Sequence, residues 1–95
     1  MVERDYQKYL VRKLKDLFPG CIVVKNDAQL KQGIPDLLIL FNKQWAALEV
    51  KKNRQARHQP NQDFYVKRMN DMSYASFIFP ENEDKVFDKL KEVFR

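Results

Sequence analysis

Cysteine, glycine and long apolar stretches are scarce in this sequence. Cysteine occurs once and glycine twice among 95 residues. The single cysteine, Cys21, can form no disulfide within the chain, which fits a reducing compartment, so we expect a cytoplasmic location. No apolar stretch approaches the ~18 residues of a membrane span. The first ten residues carry charges where an export signal needs apolar residues, so we expect neither secretion nor membrane association.

The composition that remains is typical of one folded domain covering residues 1–95. Hydrophobic residues make up 44% and charged residues 33% of the chain, which argues against disorder. The net charge is +5, and seven basic side chains fall between positions 51 and 68 with only Asp63 opposing them. Such a cluster fits either a solvated surface or a nucleic-acid contact.

Hydrophobic periodicity and turn residues predict seven elements. We expect helices over 2–18, 59–70 and 82–94, and strands over 21–26, 37–41, 45–51 and 73–79. A polar loop over 27–34 and a basic loop over 52–58 separate them. The first three strands are joined too tightly for anything but antiparallel pairing, whereas the helix before the last strand permits a parallel crossover. The predicted fold is therefore α/β, in the order α-β-β-β-α-β-α, with a mixed four-stranded sheet flanked by helices.

Two carboxylates and one ammonium group are predicted to meet at one end of this sheet. Asp36 opens one strand, Glu49 lies near the end of the next, and Lys51 follows two residues later on the same face. Asp36 shares that face only if the turn between the strands has an even number of residues or a bulge intervenes. A two-residue turn at Asn42-Lys43 would pair Asp36 with Glu49, whereas a three-residue turn would put the carboxylates on opposite faces.

This trio suits phosphodiester chemistry. Two close carboxylates repel each other unless a cation sits between them, and Mg²⁺ accepts one or two carboxylates together with waters and a substrate phosphate. Such a metal polarises the phosphodiester and lowers the pKa of a bound water. Lys51 could orient that water or neutralise charge on the phosphorus. Either half of the pattern alone occurs by chance on surface hairpins; the joint pattern favours a nuclease.

Nearly the whole chain resembles the VRR-NUC branch of the PD-(D/E)XK nucleases, which have a restriction-endonuclease-like core. The resemblance rests on an acidic residue in the first helix (Glu3), on the segments 33–36 (GIPD) and 49–51 (EVK), and on a helix that starts with glutamine. Two segments depart from the family pattern. The chain reads RHQP at 57–60 where many members have serine-proline before the glutamine, and Asn-Asp at 70–71 where a glycine is common.

The resemblance implies a catalytic and metal-binding set. Asp36, Glu49, Lys51 and Gln62 correspond to the catalytic residues, with Gln59 as the competing candidate for the glutamine. Mg²⁺, or Mn²⁺ in its place, is expected on a set of oxygen ligands that consists of Glu3, Asp36, Glu49 and the backbone carbonyl of Val50.

The expected partner is DNA, with phosphates contacted by Lys52, Arg54, Arg57 and His58. A domain this small resembles the stand-alone, phage-encoded members of the family, which would place it in the host cytoplasm. Their behaviour implies a homodimer that resolves four-way (Holliday) junctions. Alternatives are a nuclease for linear or flapped DNA, a non-catalytic nucleic-acid-binding module and a dimerisation domain without a ligand.

Overall fold

The computed structural model describes residues 1–27 and 29–95. Its elements are α1 (Glu3–Leu17), β1 (Ile22–Lys25), β2 (Leu37–Phe41), β3 (Gln44–Val50), α2 (Gln62–Met72), β4 (Tyr74–Ile78) and α3 (Glu83–Val93). This order confirms the predicted α-β-β-β-α-β-α arrangement. Of the loop predicted over 27–34, Ala28 lies outside the described residues.

The boundaries of α2 differ from the predicted 59–70. The helix begins at Gln62 because Asn61 has a left-handed backbone conformation, with φ of 74°. It continues through Asn70 to Met72. The Asn70 side chain does not end the helix; its oxygen accepts a hydrogen bond from the backbone N–H of Ala75 at 3.1 Å, which ties α2 to the start of β4.

The four strands form one sheet in the order β1-β2-β3-β4. The β1–β2 and β2–β3 pairs are antiparallel, and β3 and β4 are parallel, as predicted. Phe41 pairs with Gln44, so the turn between β2 and β3 consists of Asn42 and Lys43 alone, and Asn42 takes the left-handed conformation at φ 56°. The turn therefore has an even number of residues, which decides the register question in favour of Asp36 and Glu49 on one face.

The helices lie on both faces of the sheet. α1 and α3 cover one face, where their apolar stripes meet alternate strand residues such as Leu37, Ile39 and Leu48, all fully buried. On the other face α2 packs on β3 and β4, with Val66 against Ala47 and Ala75. None of the described helices is long and apolar enough to cross a membrane. The face under α2 is the one that carries Asp36 and Glu49.

Candidate active site

Strand pairing brings Asp36 and Glu49 together. Leu37 pairs with Leu48 in antiparallel strands, so Asp36, which precedes Leu37, lies opposite Glu49, which follows Leu48. The Asp36 side chain also caps β3, because its Oδ2 accepts a hydrogen bond of 2.9 Å from the backbone N–H of Val50. The start of β2 is thereby fixed to the end of β3 by a side chain as well as by the sheet.

Glu49 and Lys51 are charged groups buried at the end of β3, with 3% and 5% of their surfaces exposed. Gln62 connects them: its Nε2 donates to Glu49 Oε2 at 3.0 Å, and its Oε1 accepts from Lys51 Nζ at 2.8 Å. The direct separation of Lys51 Nζ and Glu49 Oε2 is 3.9 Å. A glutamine can donate and accept at once, so it bridges a carboxylate and an ammonium group as no purely cationic or anionic side chain could.

Of the two candidate glutamines, Gln62 is the one whose side chain touches Glu49. Gln59 contributes through its backbone, because its N–H donates to Gln62 Oε1 at 2.8 Å. The backbone carbonyl of Arg57 likewise accepts a hydrogen bond from Lys51 Nζ at 2.9 Å. The basic loop thus holds Lys51 and Gln62 with main-chain groups, which carry no sequence signal and were missed by sequence reasoning.

The loop before Asp36 packs against the residue before Gln62. Gly33 has φ of +91°, and a Cβ atom at this position would lie 2.6 Å from Asn61 Cβ and 2.8 Å from its carbonyl carbon. Only glycine satisfies both the backbone angle and the contact. Gly33 therefore lets the Asp36 loop touch the start of α2. The sequence pattern includes this glycine, but the pattern alone does not show the contact that requires it.

The environment of Glu49 disfavours its charged form. Burial raises the pKa of Glu49 to about 8, and the neighbouring Asp36 carboxylate and, more weakly, Glu3 add to the rise, whereas Lys51 opposes it. Among the described residues, Glu49 Oε1 has no hydrogen-bond partner although it is buried. An oxygen left in this state is costly, and a ligand that binds it would remove the cost.

The donor set at this point fits a hard divalent cation. Within residues 1–27 and 29–95, no three side chains of His, Cys, Asp or Glu are placed to hold a metal ion. Mg²⁺ does not need three, because it keeps several waters and uses one or two carboxylates. A backbone oxygen is also available: the N–H of Lys51 bonds to Ile78 of β4, so the Val50 carbonyl of the same trans peptide points away from β4, toward the side of β3 where Asp36 lies.

Asp36, Glu49, Lys51 and Gln62 line a cleft of about 860 Å³ whose walls come from α1, the ends of β2 and β3, the basic loop and the start of α2. Glu3 lies on the α1 wall, where it does not complete a three-carboxylate cluster with Asp36 and Glu49. Lys52 and Arg57 lie on the opposite wall. The cleft therefore has an acidic centre with cations beside it.

The two other predicted DNA contacts lie outside this cleft lining. The backbone N–H of Arg54 donates to Glu81 Oε2 at 3.3 Å, at the start of the segment that leads into α3. The His58 ring stacks on Phe77 with 4.1 Å between ring centres, and its Nδ1 lies 2.9 Å from Asp63 Oδ1. His58 thus fastens the basic loop to β4 and α2.

Fold and cleft together define the class as an α/β domain with a mixed four-stranded sheet and a carboxylate-lined cleft at one end of it. The chain is similar to a solved structure described as a VRR_NUC domain, with a TM-score of 0.72 and 27% sequence identity over 90% of this chain and 94% of that chain. No family model and no curated protein matches the chain. The structural likeness confirms the predicted resemblance to the VRR-NUC branch and the predicted fold.

Proposed function

We propose that this protein is a Mg²⁺-dependent endonuclease that hydrolyses phosphodiester bonds in DNA. The observation that carries the proposal is the buried Glu49 carboxylate, which lies beside Asp36 and has one oxygen without a partner among the described residues. A structural ion pair would not require this arrangement. Burying such groups is unfavourable unless a ligand completes the site.

The metal would be held by Asp36, Glu49 and the Val50 carbonyl, with Glu3 acting through a water from the α1 wall. Mn²⁺ is expected to substitute, because its ligand preferences overlap with those of Mg²⁺. When bound, the ion would supply Lewis-acid polarisation of the phosphodiester. The protein's own task is to hold two carboxylates at one point despite their repulsion.

Lys51 and Gln62 position the substrate in this proposal. An ammonium group has three donors, and Lys51 Nζ uses two of them on Arg57 and Gln62. The third is left for a phosphate oxygen, where it stabilises negative charge that develops during hydrolysis. Gln62 fixes the positions of both Lys51 and Glu49, so it acts as a positioning residue.

The basic loop would hold the DNA backbone. Lys52 and Arg57 line the cleft, and we assign phosphate contacts further from the bond that is cut to Arg54 and His58. Contacts of this kind position the duplex without reading its bases. We place the activity in the cytoplasm, where Cys21 would stay reduced.

A cleavage assay with purified variants tests the proposal. Asp36→Asn and Glu49→Gln each remove a charge and keep the side-chain shape, whereas Lys51→Ala removes the ammonium group together with its stem. Each is expected to lower the rate of Mg²⁺-dependent DNA cleavage roughly 10²-fold or more, because a single oriented electrostatic group contributes that much. EDTA should abolish cleavage by the unchanged protein. Lys43→Ala, in the turn at the other end of β3, is the matched control and should cleave normally.

The non-catalytic alternative makes the opposite prediction in the same assay. DNA binding without cleavage in Mg²⁺ or Mn²⁺ would support a binding module on this fold. Near-normal cleavage by Glu49→Gln would show that any activity in the preparation does not come from this cleft.

We further propose that two copies act together on four-way junctions. One cleft cuts one strand, and resolving a junction needs two paired cuts, which a two-fold dimer supplies. An exposed apolar strip supports the pairing, because α2 covers β3 and β4 and leaves Ile22, Val24 and Leu40 exposed on the same face of β1 and β2. Isolated apolar residues are ordinary on a surface, but a contiguous strip is typical of an interface.

The dimer and the junction preference have their own test. Light scattering at micromolar concentration should give twice the mass of the 11.4 kDa chain, and Val24→Glu should give the mass of one chain. The dimer should nick a four-way junction symmetrically near its branch point. A monomer that cuts linear or flapped DNA as readily as a junction would support the restriction- or repair-type alternative and leave the nuclease proposal standing.

A further inference from the structure

A basic groove lies between the N-terminal half of α1 and β1, on the far side of Asp36 from the basic loop. It encloses about 370 Å³. Its cations are Arg4 and Lys8, one turn apart on α1, and Lys25 at the end of β1. Neither the predicted DNA contacts nor the catalytic cleft includes these three residues.

The groove combines positive charge with an apolar floor. No acidic side chain contributes to its lining, and among the described residues none of its three cations has a carboxylate within 4.0 Å. The floor is formed by Val11, Val23 and Leu37. By contrast, the cleft on another side of α1 includes Asp5 and Asp16 beside its lysines. Cations around an aliphatic floor suit a sugar-phosphate unit, whose charge lies on one side.

The groove is continuous with the catalytic end of the sheet. Lys25 pairs with Leu37, the residue after Asp36, and the backbone N–H of Asn26 donates to the Asp36 carbonyl at 2.8 Å. A small cleft lined by Lys25, Asn26, Asp27 and Asp36 has Lys25 in common with the groove and Asp36 in common with the catalytic cleft. On α1, Glu3 lies on the wall of the catalytic cleft and its neighbour Arg4 lies on the wall of the groove. Lys25 and Leu37 belong to the sheet face under α1, so a DNA strand leaving the carboxylates on the α2 face would pass around the Asp36 end of β2 to reach the groove.

We propose that this groove binds the nucleotide that flanks the cleaved bond, with its phosphate on Arg4, Lys8 and Lys25 and its sugar against the apolar floor. The proposal rests on the nuclease function proposed above and adds a second contact to it. The basic loop holds the strand on one side of the cleft and the α1–β1 groove holds it on the other. The two contacts together would place the scissile phosphate next to Asp36 and Glu49.

The first test compares two triple variants in which three lysines or arginines become alanine. Arg4→Ala/Lys8→Ala/Lys25→Ala empties the groove. Lys43→Ala/Lys85→Ala/Lys91→Ala removes the same charge from exposed positions in the β2–β3 turn and on α3. Affinity for a four-way junction is measured against salt concentration in EDTA, so that no DNA is cut. The groove variant should make the slope of log K against log salt shallower by about 0.9, because one phosphate contact is lost, and the control should change it far less.

The second test locates the contact on the DNA. Methylphosphonate linkages, which carry no charge, replace the phosphates one at a time on both sides of the cut position. The unchanged protein should lose affinity when the phosphate next to the cut on the groove side is replaced, and the groove variant should be indifferent to that replacement. Lys25→Gln alone should make the salt slope shallower by part of that amount and should weaken the response to the neutral linkage, which keeps the measurement possible if the triple variant is unstable.

The two proposals can fail separately. The groove proposal is overturned if the groove and control variants have equal salt slopes. It is also overturned if the groove variant is as sensitive to the neutral linkage as the unchanged protein. Either result can occur while cleavage stays intact. If the unchanged protein never cleaves DNA in Mg²⁺, and only the groove variant has a shallower salt slope, the nuclease proposal is overturned and the groove remains a DNA-binding site.

Discussion

The two ends of the β2–β3 hairpin have opposite construction. At the turn end, the rings of Phe18, Phe41 and Phe94 pack against one another with centre-to-centre distances of 5.1 to 5.8 Å. At the other end, the same strands carry Asp36 and Glu49. One end removes aromatic surface from water, which is favourable, and the other removes charge from water, which is unfavourable.

The difference indicates a division of labour along one hairpin. The aromatic end and the core beneath it stabilise the folded protein. Burial of Glu49 and Lys51 at the charged end opposes folding, and the rest of the fold offsets that cost. Substitutions at the turn end should therefore change stability and leave the chemistry intact. Replacing the Glu49 carboxylate at the charged end with a neutral amide should change the chemistry and leave stability intact or improved.

The largest expected change in stability is that of Phe18→Ala. Phe18 touches both other rings of the cluster and is buried, so its truncation should lower the free energy of unfolding by about 3 to 5 kcal/mol. Phe64→Ala is the control, because Phe64 is exposed on α2 and its loss should cost under about 0.5 kcal/mol. Urea unfolding measures both. A similar loss for the two variants would mean that the aromatic cluster does not stabilise the turn end.

The next effect is a dependence of stability on pH that comes from Glu49. Its pKa is raised from 4.5 to about 8 in the folded protein, so between these values the folded protein keeps a proton that the unfolded chain has lost. The stabilisation by this proton is complete below pH 4.5 and is lost as the pH rises through about 8. In EDTA, melting temperature should therefore fall between pH 5 and pH 9.

Glu49→Gln provides the comparison for this pH effect. A glutamine does not titrate, so the variant should melt at a temperature that changes less over the same range and should be the more stable protein at pH 9. Parallel curves for the two proteins would show that Glu49 is not the group responsible.

A smaller effect is expected from the two glycines with positive φ. Gly33→Ala and Gly20→Ala both place an alanine at φ +91°, which costs roughly 1 to 2 kcal/mol. Only Gly33→Ala also forces a Cβ against Asn61, whereas nothing lies within 4 Å of a Cβ at Gly20. Gly33→Ala should therefore lose more stability than Gly20→Ala and, because it displaces the start of α2, should also reduce cleavage. Equal cleavage by the two variants would mean that Gly33 does not help to place Gln62.

Periodicity was sufficient to predict the seven elements and their order. The apolar stripes of α1 and α3 are local properties, and they are buried as expected. Of the continuous apolar stretch of β2, Leu37 and Ile39 are buried, whereas Leu40 on the other face is exposed. The start of α2 was placed three residues early. Residues 59–61 have no periodicity that opposes a helix, and the left-handed Asn61 lies where the chain packs closely on Gly33, which is distant in sequence.

The candidate site shows the same limit. Asp36, Glu49 and Lys51 could be brought together from strand spacing, but whether the carboxylates shared a face depended on a turn of two or three residues. The structure supplies that answer through the Phe41–Gln44 pair. Two hydrogen bonds could not be predicted, because every residue has the same backbone: Lys51 Nζ donates to the Arg57 carbonyl, and the Gln59 N–H donates to the Gln62 side chain.

Calorimetric titration of Mg²⁺ and Mn²⁺ into the metal-free protein tests most directly the claim that the charged end of the hairpin is built around a cation. The unchanged protein should bind the metal near neutral pH and release a proton as it does so, because the metal replaces the proton that Glu49 holds there. Glu49→Gln should bind far more weakly, and Lys43→Ala at the turn end should bind normally. Equal metal binding by the unchanged protein and Glu49→Gln, or no binding by either, would contradict the account.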